Sequence, residues 1–126
     1  MKVYRVECPE QQRGPYHFSA TLLNDEQLFV YERMIREHKN HSCWPVMSND
    51  LKNRHVYYLT TIRSAFPSKP KCKEWFGEFL PFLLNIGFEV YQYEPTRVYT
   101  THSGKQIGLD IKECPRKIVT HLFKQK

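Results

Sequence analysis

Ser68-Lys69-Pro70-Lys71-Cys72-Lys73-Glu74-Trp75-Phe76-Gly77-Glu78-Phe79-Leu80-Pro81-Phe82-Leu83-Leu84-Asn85-Ile86-Gly87-Phe88-Glu89-Val90-Tyr91-Gln92-Tyr93-Glu94 passes from a helical period to a strand period in one run. Ser68 stands where an N-cap belongs, and Pro70 is tolerated in the first turn behind it, where backbone N–H groups lack helical partners. Cys72, Trp75 and Phe76 then recur at three- and four-residue spacing. Pro81 would damage the middle of one long helix, so the stretch predicts two pieces, Lys69 to Phe76 and Leu80 to Ile86, with Gly87 as the C-terminal cap. Beyond Gly87, Phe88, Val90 and Gln92 alternate with Tyr91 and Tyr93, the period of a strand.

Outward from this stretch the same alternation of types continues. Toward the N-terminus, Val56-Tyr57-Tyr58-Leu59-Thr60-Thr61-Ile62 is β-branched and aromatic and predicts a strand. Residues Asn40 to Asn53 keep no period and read as a long loop with Trp44 as its anchor. Asn24 and Gln27 resemble a capping pair, and Leu28, Tyr31, Ile35 and His38 follow at helical spacing, which predicts a helix over 24–38. Lys2 to Glu7 predicts the first strand, half-buried, with Arg5 held on it. Toward the C-terminus come Val98 to Thr101, a turn at Ser103-Gly104, Gln106 to Ile111, and Lys117 to Phe123, two of which are expected to pair as a hairpin. The sum over residues 1–126 is one small α+β domain, a mostly antiparallel sheet of five or six strands with two or three helices.

Composition bounds the possible functions. The chain has 126 residues, 40% hydrophobic and 14% aromatic, which argues against disorder and suits a single core. No apolar run approaches the roughly 20 residues of a membrane span, and no secretory signal opens the sequence, so a cytoplasmic protein without a membrane partner is expected. The net charge of +6 gathers in Lys69, Lys71 and Lys73 and in the last fifteen residues or so, which favours nucleic acid, a phosphorylated small molecule or an acidic protein surface without choosing among them. Ordinary solubility charge explains it equally well. The four cysteines form no Cys-x-x-Cys pair, and His38, His41 and Cys43 match no common zinc spacing, so no metal site is expected.

The ligand-binding candidates are Arg5 and Tyr16. A strand fixes Arg5, the Gly14-Pro15 bend presents Tyr16, and the two together suit a flat or phosphorylated ligand, since guanidinium reads phosphate bidentately and an aromatic face stacks a ring. A salt-bridged strand Arg is the plainer account. No Gly-rich phosphate loop, carboxylate pair or nucleophile motif is written in the chain.

Val3-Tyr4-Arg5-Val6-Glu7 with Gly14-Pro15-Tyr16, Phe66-Pro67-Ser68 ahead of Trp75-Phe76, Gly87-Phe88-Glu89-Val90-Tyr91 and Gly104-Lys105-Gln106-Ile107 resemble, in that order, a family of small bacteriophage and prophage proteins. The order of parts is also similar to the ADP-ribosyltransferase fold, with Arg5, Ser68 and Gln106 in the places of its Arg, Ser and Glu. That resemblance implies NAD as cofactor, with Arg5 on its phosphate and Ser68 and Gln106 as the catalytic pair. Gln106 departs from the pattern: an amide hydrogen-bonds a ribose hydroxyl but carries no charge to stabilise a sugar cation. Ser68 is equally well explained as a helix cap and Gln106 as a solvent-facing strand residue. Three readings stay open: a transferase-like domain that binds NAD or ADP-ribose and modifies a host target, a non-enzymatic effector that blocks a host protein of defence or transcription, and a basic nucleic-acid-binding module.

Overall fold

The computed structural model describes residues 1–10, 12–17, 20–40, 52, 62–112 and 114–124. Among them are five strands, β1 (Val3–Glu7), β2 (Ile62–Ala65), β3 (Glu89–Tyr93), β4 (Ile107–Asp110) and β5 (Arg116–Ile118). Three α-helices accompany them, α1 (Asp25–Asn40), α2 (Lys69–Phe76) and α3 (Phe79–Asn85). All strand pairs are antiparallel, in the order β1-β3-β5 in one sheet and β2-β4 in the other, so the α+β expectation holds. Phe66, one residue past β2, exchanges backbone hydrogen bonds of 2.7 and 2.9 Å with Tyr4 of β1 and joins the two sheets.

Side chains alternate along a strand. On one face of β1, Tyr4 and Val6 meet Tyr31, Met34, Phe76, Leu83, Phe88 and Val90 beneath the helices. On the other, Val3 meets Ala65, Tyr91, Tyr93, Ile107 and Leu109. Both faces are covered, and every residue of β1 is buried. The expectation of a half-buried first strand is therefore corrected.

Local chemistry sets the helix ends. At the start of α1, Gln27 N–H donates to Asn24 Oδ1 at 2.8 Å and Asn24 N–H to Gln27 Oε1 at 3.0 Å, the reciprocal bonds of a capping box. Ser68 Oγ accepts from Lys71 N–H and caps α2. The chain breaks between α2 and α3 at Gly77, whose φ of +50° is a conformation that side chains with a Cβ rarely adopt. Pro81 then falls in the first turn of α3, where it is tolerated.

The late hairpin forms, with Tyr99 and Gly108 exchanging two bonds of 2.8 Å across the Gly104 turn. The strand expected over 117–123 forms only at its start, as Lys117 and Ile118 of β5 (Arg116–Ile118). After β5 the chain turns into a short 3-10 segment, Thr120–Leu122, because the Thr120 hydroxyl takes the Val90 N–H at 2.9 Å, replacing a backbone ladder bond. The strand expected at Val56 to Ile62 lies outside the described residues except for Ile62, and so does the loop over 40–53 except for Asn40 and Lys52. No helix among the described residues is long and apolar enough to cross a membrane.

Candidate functional site

Arg5, the first sequence candidate, belongs to a closed charge cluster on the sheet face turned away from the helices. Its Nε donates to Glu7 Oε2 at 2.6 Å, Nη1 to the Ser64 carbonyl at 2.9 Å and Nη2 to the Gln12 carbonyl at 3.3 Å. Glu7 is wholly buried and also accepts from Arg116 Nη1 and the Tyr93 hydroxyl, each at 2.8 Å. Arg116 Nη2 reaches the Pro9 carbonyl at 2.8 Å, and its guanidinium lies 4.1 Å over the Tyr91 ring. Burial works against the Arg116 charge, yet its hydrogen bond to Glu7 and the fields of Tyr91 and Glu7 outweigh that and raise its pKa. Burial, reinforced by Glu7, raises the Tyr93 phenol and keeps it a donor. The backbone of Gly14 passes so near that a Cβ there would stand 3.6 Å from Arg5 Nη2. The cluster ties β1, β3 and β5 together.

Among the described residues a cavity lies on the helical side. It encloses about 880 Å³ between the second half of α1 and the α2–α3 junction. Helical spacing aims Arg33, Arg36 and Glu37 of α1 at it, and Lys71, Glu74 and Trp75 of α2 face them. Phe66, Phe76 and Phe79 add apolar wall, and Lys105 closes the hairpin end. His38 sits in the middle of the aromatic floor, buried, with Trp75 stacked on it at 4.5 Å and Phe76 and Phe79 edge-on at 6.0 and 5.6 Å.

A hydrogen-bond circuit locks that floor. Trp75 Nε1–H donates to the Tyr16 hydroxyl at 2.7 Å, the Tyr16 hydroxyl and His38 Nδ1 are 2.6 Å apart, and His38 Nε2 and the Trp75 carbonyl are 3.1 Å apart. A carbonyl only accepts, so the network assigns the proton to Nε2 and leaves Nδ1 to accept from Tyr16. Burial raises the Tyr16 phenol and holds it protonated, as this role requires. Tyr31 donates to the Pro15 carbonyl at 2.6 Å and fixes the Gly14-Pro15 bend that delivers Tyr16.

The sequence candidates thus separate. Tyr16 braces the cleft from behind, Ser68 caps the helix that carries Lys71 and Trp75, and Gln106, whose carbonyl accepts from Thr101 Oγ1 at 2.6 Å, follows Lys105. None of Arg5, Tyr16, Ser68 and Gln106 is among the residues lining the cavity. The three lysines of the α2 cluster diverge: Lys71 lines the cleft, Lys73 lies 5.6 Å from the Phe123 ring, and Lys69 is half-buried. Sequence reasoning missed Arg33, Arg36 and Phe79. Their signal was the repeat of cations along α1 at positions 33 and 36, which only the packing of α2 turns into a site. His41, Cys43 and Trp44 lie outside the described residues, within which no group of three or more potential ligands is placed to hold a metal ion.

Cys72 is buried in the core under α2, and desolvation pushes its thiol from the ordinary 9.0 up to about 12. Because the thiolate is the nucleophile, it is inert near neutral pH. The folded chain keeps this proton at pH values where the unfolded chain has lost it, so the associated stability is complete below pH 9.0 and declines as pH rises toward about 12. Urea midpoints are expected to fall across that window. A thiol reagent at neutral pH should leave Cys72 unmodified until the chain unfolds, and native-state labelling would contradict this.

A small α+β domain with an aromatic-floored, charge-rimmed cleft is what fold and site define together. The chain belongs to the bacteriophage T4 Y00F protein family, whose model matches residues 1–120. The resemblance to phage proteins is borne out by this match, and the likeness to the ADP-ribosyltransferase fold finds no support in it. No curated protein and no solved structure matches the chain.

Proposed function

We propose that this protein is a phage accessory protein that acts by capturing a host protein in the α1–α2–α3 cleft, without chemistry of its own. The observation that carries this reading is the combination of a locked aromatic floor with charged side chains around a cavity of about 880 Å³. Large aromatics set in a rigid frame are the usual anchors of an interface. The groups that a transferase would use are engaged elsewhere: Arg5 in its ion-pair cluster and Ser68 as a helix cap.

The test is capture from host lysate by the intact protein, repeated with variants. Trp75→Ala and Lys71→Glu are expected to abolish retention of the partner, while Lys117→Gln, outside the cleft, keeps it. Retention that ignores the cleft variants would overturn the proposal. The nucleotide reading, with NAD held by Arg5 and Tyr16 beside Ser68 and Gln106, is checked on the same samples. A ligand that binds only the folded state raises its melting temperature. No shift with NAD or ADP-ribose is expected; a shift lost in Gln106→Ala would favour the transferase instead.

A further inference from the structure

We infer that this protein associates with a second copy of itself through the outer face of α1, the two helices antiparallel and Phe29 of each copy seated in a hollow on α1 of the other. Phe29 is 66% exposed, on a helix whose Tyr31 and Met34 are buried in the core. A lone exposed aromatic needs no explanation. This one stands on the same helix as a hollow of about 300 Å³ lined by Leu28, Tyr31, Glu32, Ile35 and Arg36. The first four of these stand at i, i+3, i+4 and i+7, the spacing of the four-residue hole that receives a side chain from a facing helix. Leu28 and Ile35 are only half-buried, so the fold leaves part of this apolar wall uncovered.

A helix that carries both a knob and a hole is self-complementary, which is what a two-fold contact between identical chains demands. Charge fixes the direction. Asp25 and Glu26 open α1, and Arg36 stands about three turns further on. Asp25, Glu26, Glu32 and Arg36 are exposed and make no ion pair among the described residues. Arg33 takes no part, since Glu78 and Glu37 already engage it. Parallel packing would set Asp25 against Asp25 and Arg36 against Arg36. Antiparallel packing that places Phe29 opposite Glu32 of the second copy also places Asp25 opposite its Arg36, and the two-fold axis repeats that pair. The two Glu32 carboxylates then approach the axis together, a like-charge contact that keeps the association weak.

Sedimentation equilibrium of the full chain tests this. The weight-average mass is expected to rise with concentration from 15.2 kDa toward twice that value. One helix from each copy makes a small interface, so the Kd should be on the order of 10⁻⁵ M. Phe29→Ala should weaken association about tenfold or more, the effect of losing a central aromatic anchor. Asp25→Arg and Arg36→Glu should each weaken it too, because each sets like charges together twice across the axis. The double variant Asp25→Arg/Arg36→Glu restores both pairs and should return to within about threefold of the parent chain. A parallel pair would be indifferent to these charge changes. All three positions are exposed, and far-ultraviolet circular dichroism establishes that the variants are folded. A chain still monomeric at concentrations about fifty times the expected Kd would overturn the inference, as would association untouched by Phe29→Ala or a charge loss that the double variant does not restore. A photoreactive residue in place of Phe29 that captures a host protein and no second copy would overturn it as well. Phe29 does not line the α1–α2–α3 cleft, so the capture assay with Phe29→Ala judges the proposed function separately.

Discussion

Glu7→Gln is expected to lower the stability of the protein by about 3 kcal/mol or more, the scale of breaking a buried ion pair from one side. Glu7 is wholly buried and accepts from two guanidinium groups and a phenol, so the amide would turn an NH2 toward a donor while leaving two cations without their counter-charge. Arg5→Ala should also cost stability, because it removes one of the two cations on the same buried carboxylate, leaving Arg116 and the Tyr93 hydroxyl, and frees the Ser64 and Gln12 carbonyls. Chemical denaturation of the two single variants and the double variant measures this. The two losses should be far from additive, since both break one network. Losses below about 1 kcal/mol, the range of exposed pairs, would contradict the account of the cluster.

The second large effect is expected at Tyr16→Phe. The change removes the oxygen to which Trp75 donates and the proton that His38 accepts, and such a loss in a buried setting costs about 1–3 kcal/mol. The Gly14-Pro15 bend should survive, because Tyr31 holds it through the Pro15 carbonyl independently. A lowered melting temperature together with changed tryptophan fluorescence is therefore expected, with far-ultraviolet dichroism unchanged. An unaltered melting temperature would mean that the circuit does not lock the floor.

Both predictions concern residues that the sequence brings forward, and in both the role changes once tertiary contacts are known. Arg5 reads as a ligand-binding cation because periodicity places it on a strand, but periodicity cannot tell that both faces of that strand are covered. The second face is covered by β2 and β4, whose pairing runs over residues 62–65 and 107–110, far from Arg5 in the chain. Glu7, two residues away, was the legible sign of pairing, and Arg116, more than a hundred residues on, was not.

Local signals survived best. The Asn24–Gln27 box, the Ser68 cap, the two-helix reading of 69–86 and the strand after Gly87 depend on a few neighbouring residues, and all are found within a residue or two of the positions predicted. The last strand stops at Ile118, short of the expected Phe123, where a Thr120 side chain takes the Val90 N–H, a choice made by geometry at Val90 and invisible at Thr120 itself. The cleft was legible only in pieces. Trp75, Phe76, Lys71 and His38 each carry a separate local signal, and it is the break at Gly77 between α2 and α3, together with α1 across the cavity, that makes them one surface.

The most direct test of the cleft as a capture site is site-specific photocrosslinking in host cells. A photoreactive residue replacing Glu74, on the cleft wall, should give one dominant crosslinked host protein, and the same residue replacing Lys117 on β5 should give none of it. Equal crosslinking of that protein from both positions, or from Lys117 alone, would contradict the account.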